Sequence, residues 1–172
     1  MTAPEVAFLL NTLASVVSAQ PADHPLRRVN RDTTQLYDGD GTIDMTTPQR
    51  SRTAPLKQAN YVGVRAVRES PRPVGTEYDH ELVMTCSVRV EGLHYRERGH
   101  LDPDGTEGVA FDALCREIQR GILAERSFPA VGRSDTAYHT LTIENVDEQA
   151  AADADFGRQE FDVLFHGYED LP

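Results

Sequence analysis

The chain has 172 residues, is 39% apolar and carries a formal net charge of −11. That length favours one domain, 1–172, with a sizeable core. No apolar run approaches the roughly 20 residues of a membrane span, and no basic region precedes the first apolar stretch as in a secretory signal. The acid excess argues against sequence-independent nucleic-acid binding, which needs a positive surface. Lys57 is the only lysine, so the bases are almost all arginine. Acid surplus and missing lysine together point to a halophilic protein of haloarchaeal origin. A GC-rich genome that favours arginine codons is the alternative.

In chain order, Pro4 to Ser18 reads as a helix, with Val6, Leu9, Leu10, Leu13, Val16 and Val17 at helical spacing. Thr2 and Glu5 would form a capping box, and Gln20-Pro21 ends the helix. Such an apolar helix must be covered by a sheet or by another subunit. From Ala22 to Gln58 periodicity disappears, and prolines and arginines replace it. A stretch this long inside a compact domain signals function, disorder or a partner. The expectation is an extended loop or arm, 22–58, that orders on a neighbouring subunit. Its interface candidates are Arg27, Arg28, Arg31, Leu36, Tyr37, Ile43, Met45, Arg50 and Arg52.

Within the arm, Asp38-Gly-Asp-Gly-Thr-Ile43 resembles the middle of an EF-hand loop. The first and last ligand positions would fall on Leu36 and Thr47, which cannot close the oxygen cage. An Asp-Gly turn is the better reading, with Asp38, Asp40 and Asp44 a weak cation candidate.

Tyr61 to Arg68 alternates as a strand, and Ser70-Pro-Arg-Pro-Val-Gly75 reads as the turn that stops it. Glu81 to Glu91 is the clearest strand, with Leu82, Met84, Cys86, Val88 and Val90 on one face. The two strands predict an antiparallel hairpin. Beyond it, His94, Arg96, Arg98 and His100 lie two apart. They could line an anion site, but a strand end entering a solvated loop is the preferred reading, with Arg96 and Arg98 as interface candidates.

Thr106 can cap a helix from about Glu107 to Glu125, with Phe111, Leu114, Cys115, Ile118 and Ile122 on one stripe and Gly121 weakening its last turn. Ala137 to Val146 alternates again, with His139, Leu141 and Ile143 against Tyr138, Thr140, Thr142 and Glu144. Asp147 to Gly157 reads as an acidic loop, and Arg158 to Tyr168 as a strand with Phe161, Val163 and Phe165 inward. Cys86 and Cys115 both fall on apolar faces, so two buried free thiols are expected, with a disulfide the alternative. The order αββαββ predicts an α+β fold: a four-stranded, mostly antiparallel sheet with two helices packed on it.

The sequence shows no nucleophile elbow, phosphate-binding glycine loop, zinc spacing or His-Glu-x-x-His motif. His80, His139 and His166 could meet across strands, but nothing in their spacing requires it. The expectation is therefore a chain that is not an enzyme, with no cofactor. Acid accumulates in the C-terminal third and arginine in the arm, an asymmetry suited to head-to-tail packing of identical subunits.

The order and texture of the chain resemble those of the tail terminator (tail completion) proteins of long-tailed bacteriophages and haloarchaeal tailed viruses. The resemblance covers about Asn60 to Tyr168. It runs through Leu82-Val-Met-Thr-Cys-Ser-Val-Arg-Val-Glu91, a Gly/Asp-rich loop, Phe111-Asp-Ala-Leu-Cys-Arg-Glu-Ile118, Tyr138-His-Thr-Leu-Thr-Ile-Glu-Asn145 and Glu160-Phe-Asp-Val-Leu-Phe-His166. The arm is longer than that family's pattern. The resemblance implies a virion protein forming a homo-oligomeric, usually hexameric, ring at the head-proximal end of the tail tube. Such a ring ends tube polymerisation and joins the tail to the neck. Its partners would be the tail tube protein and neck or head-tail connector proteins, with no membrane and no sequence-specific nucleic acid, though viral DNA could pass the lumen. Assembly would take place in the host cytoplasm. Alternatives are another neck or tail protein (adaptor, stopper or tube subunit), or a small cellular ligand-binding domain.

Overall fold

The structure, a computed structural model, describes residues 3–18, 29–30, 60–73, 79–95, 99–100, 111–150 and 156–170. Helix α1 spans Pro4–Ser18 and helix α2 Phe111–Ala124. The strands are β1 Val29–Asn30, β2 Asn60–Pro73, β3 Asp79–Tyr95, β4 Gly99–His100, β5 Thr136–Ala150 and β6 Phe156–Asp170. The main sheet has the order β1-β2-β3-β6-β5, and β4 pairs with the end of β3. The four long strands are antiparallel to their neighbours, and the two-residue β1 runs parallel to β2. This is the expected αββαββ fold of class α+β.

Strand β3 is the spine. It pairs with β2 on one side and β6 on the other over most of its length. Its alternate residues Leu82, Cys86, Val88 and Val90 are fully buried, as are Val62 and Val64 of β2 and Phe161, Val163 and Phe165 of β6. Both helices add to this one apolar face: Val6, Leu9 and Leu13 from α1, Cys115, Ile118 and Ile122 from α2. Phe8 meets Phe165 edge-on, with ring centroids 5.8 Å apart. Cys86 and Cys115 are both free and buried, and burial pushes the Cys86 thiol up to about 12.

Three features differ from the expected pattern. First, Pro71 and Pro73 do not end β2, which continues to Pro73 opposite β3. Beyond Tyr61, β2 has no outer strand partner among the described residues. On such an edge only alternate N–H groups are used, and two prolines two residues apart can both occupy the unused side. Second, β5 and β6 extend through much of the expected acidic loop, to Ala150 and from Phe156. Third, the faces of β5 are not those of simple alternation. A bulge between Tyr138 and Thr140 shifts the register, so Tyr138 and Leu141 are both buried. The residues around Thr106 and Glu107, where the α2 cap was expected, lie outside the described residues.

Gly121 is a packing requirement rather than a weak point of α2. A Cβ there would stand 2.2 Å from Val16 Cγ2 and 2.9 Å from its Cγ1, so the glycine sets how closely α1 and α2 approach. Valine has little rotameric freedom on a helix and cannot easily turn aside. Gly121→Ala is therefore expected to destabilise by about 1–2 kcal/mol despite alanine's higher helix propensity. Adding Val16→Ala should recover part of that loss, measured by urea denaturation. A more stable single variant would contradict the close-packed crossing.

Candidate assembly surface

The other sheet face is polar. Across it run rows such as Arg65–Ser87–Asp162–Glu144 and Arg68–Thr85–Leu164–Thr142, one residue from each long strand. Arg89 lies there at only 1% exposure, its Nε donating to Glu160 Oε1 at 2.6 Å. Arg158 adds hydrogen bonds to the same oxygen from Nε at 3.1 Å and Nη2 at 2.8 Å. Burial alone would raise the Glu160 carboxyl, but the hydrogen bond from Arg158 and the charge of Arg89 outweigh it and hold the group low. His166 pairs with Thr142 at 3.1 Å.

The two edges of the sheet carry opposite charge. Strand β2 presents Arg65, Arg68 and Arg72, the last two exposed. Strand β5 presents Glu144 and Asp147, both exposed. The start of the β5 edge is occupied: Ser127 bridges Thr140, Phe128 N–H donates to His139 O, and Leu141 N–H donates to Arg126 O. Beyond Leu141, β5 has no outer strand neighbour among the described residues.

One end of the sheet is locked by Arg133. Its Nε donates to Asp135 Oδ1 at 3.1 Å. Its Nη1 donates to Glu5 Oε1 at 3.3 Å and lies 3.5 Å from Glu69, while Nη2 lies 3.7 Å from Glu169. Glu5, 1% exposed, also accepts a 2.6 Å bond from Tyr138 Oη. One guanidinium thus ties the first turn of α1 to β2, β6 and Asp135 just ahead of β5, and Tyr138 of β5 joins through Glu5. The Asp135 hydrogen bond raises the Arg133 pKa further and lowers that of Asp135. Burial and the bond to Glu5 raise that of Tyr138. This cluster is not legible in the sequence, because Glu5 and Arg133 lie 128 residues apart and the capping box expected of Glu5 says nothing of Arg133.

A groove of about 720 Å³ runs between α1, the end of α2 and the segment 130–132. Phe8, Val16, Ala124 and Ala130 help line it, and Glu125 is the one ionisable group among its described lining residues. His80, His139 and His166 do not form a cluster: His166 lies opposite Val83, His80 opposite Glu169, and His139 sits at the bulge against Tyr168. Among the described residues no group of three or more His, Cys, Asp or Glu is placed to hold a metal. No helix there is long and apolar enough to cross a membrane.

The sequence-derived candidates Arg27, Arg28, Arg31, Leu36, Tyr37, Ile43, Met45, Arg50, Arg52, Arg96 and Arg98 lie outside the described residues, as do Asp38, Asp40 and Asp44. His94 and His100 are register partners across β3 and β4. No protein-family model matches the chain, and no curated protein matches it.

Tyr138→Phe should cost about 1.5–3 kcal/mol, the range for a hydrogen bond to a charged group, because a buried Glu5 oxygen loses its shortest donor. Thermal unfolding would show it, and a change below 0.5 kcal/mol would contradict the lock. Asp135 and Glu160 have lowered pKa values in the folded state, so their contribution is present above the ordinary carboxylate range and lost as pH falls through the lowered values. Tm should fall below about pH 4, and less steeply in Glu160→Gln.

Proposed function

We propose that this chain is a structural virion protein that forms a closed ring at the head-proximal end of a viral tail tube. The ring would end tube polymerisation and join the tail to the neck. The observation that carries the reading is the αββαββ sheet, with both helices on one face and two long, oppositely charged edges beyond it. The chain order resembles that of tail terminators over Asn60 to Tyr168, and this architecture is one that identical subunits can extend side by side. The acidic surface suits a lumen through which DNA slides without sticking. The arm residues Arg27 to Arg52, together with Arg96 and Arg98, are proposed as contacts with the neighbouring subunit, the tube or the neck.

A second reading is favoured by one observation, the groove between α1 and α2. It would suit a small ligand-binding domain taking an apolar ligand.

The test is to add the purified protein to tail tube protein of the same virus during tube polymerisation. Substoichiometric amounts should stop growth, with immunogold labelling of this chain at one tube end. Unchanged tube growth would contradict the terminator role. Incorporation along the whole tube would make the chain a tube subunit instead.

A further inference from the structure

Each edge strand carries two like charges three residues apart, Arg65 and Arg68 on β2, Glu144 and Asp147 on β5. In a regular strand such residues point to opposite faces. Here each pair shares a face, because a bulge lies between its members. Arg65 faces Ser87 and Arg68 faces Thr85, with Val67 skipped. Glu144 faces Asp162 and Asp147 faces Glu160, with Asn145 and Val146 skipped. Asn145 adopts a φ of 51° at that bulge and donates to Asp162 Oδ2 at 2.8 Å. Both bulges leave a valine in solvent: Val67 is 50% and Val146 53% exposed.

We propose that β2 of one copy adds to the outer edge of β5 of the next, antiparallel and head to tail, with Arg68 beside Glu144 and Arg65 beside Asp147. The sheet order itself supplies the direction. Three antiparallel steps separate β2 from β5, so copies joined in the same orientation bring β5 against β2 antiparallel, with like faces aligned. A single register satisfies both charge pairs, since each pair spans three residues. That register sets Arg65–Ser70 against Thr142–Asp147 and brings the two bulged valines together. It clears β1, which takes up Asn60 and Tyr61, and Ser127, which bridges Thr140.

The occupant is a second copy because the charges select it. Pairing β2 with β2 would set arginine against arginine, and β5 with β5 carboxylate against carboxylate. Only the mixed contact is attractive, and like charges directly opposite are destabilising. Charge on an edge strand also blocks promiscuous pairing, and opposite signs on the two edges leave one pairing open. Such a heterologous contact closes into a ring or continues as a filament. The inference deepens the ring reading by naming its contact, and rests on the self-association in that reading rather than on the viral role.

The experiment crosslinks single-cysteine surface variants with a short bismaleimide. Cys86 and Cys115 are buried, and unmodified protein serves as the control. Mixing Val67→Cys with Val146→Cys should give covalent dimers, and neither variant alone should. Arg68→Glu introduced into the Val67→Cys chain should lower the yield roughly tenfold, and Glu144→Arg in its Val146→Cys partner should restore it. No mixed dimer, or dimers of Val67→Cys with itself, overturns the edge contact. If the unmodified protein still forms a closed oligomer, the ring reading survives that failure. Conversely, a chain carrying both cysteines whose crosslinked ladder grows without limit keeps the edge contact and overturns the closed ring.

Discussion

The structure depends on one constraint: β3 and β6 are apolar on a single face. Period-two alternation gives Leu82, Cys86, Val88, Phe161, Val163 and Phe165 one side of the sheet, and both helices must gather there to bury them. The opposite face then holds the charged rows, including the pair of buried Arg89 with partly exposed Glu160, and the ends of the sheet need polar ties. Arg133 provides one such tie, and Gly121 allows the helix pair to sit close enough to share the apolar face.

This constraint was the legible part of the sequence. The alternation from Tyr61 to Arg68, Leu82 to Val90 and Phe161 to Phe165, with the stripes from Val6 to Val17 and from Phe111 to Ile122, was enough to obtain the helices, the hairpin and the α+β class. Helix α1 has the limits expected of it. What alternation could not show were the places where it is broken. Tyr138 reads as outward by strict parity and is inward because His139 is bulged. Pro71 and Pro73 read as a stop and are tolerated because β2 is an edge strand there, which is a fact of topology.

The polar features were illegible for a different reason. Glu5 in a capping position and Arg133 in a turn each have ordinary local roles. Their pairing exists only once α1 lies over the ends of β2, β5 and β6. The edge charges are similar. Arg65 with Arg68 and Glu144 with Asp147 look out of phase in a strand, and the two bulges bring each pair into phase. The sheet edges thus carry a charge asymmetry of their own, basic on β2 and acidic on β5, separate from that expected of the arm, which lies outside the described residues.

The proposed ring requires copies of this chain to close on themselves. Light scattering in multimolar KCl, over a wide range of protein concentration, tests it most directly. A closed ring gives one discrete mass, near six chains, that holds steady once formed. A mass that stays at one chain at every concentration, or one that rises without limit, would contradict it.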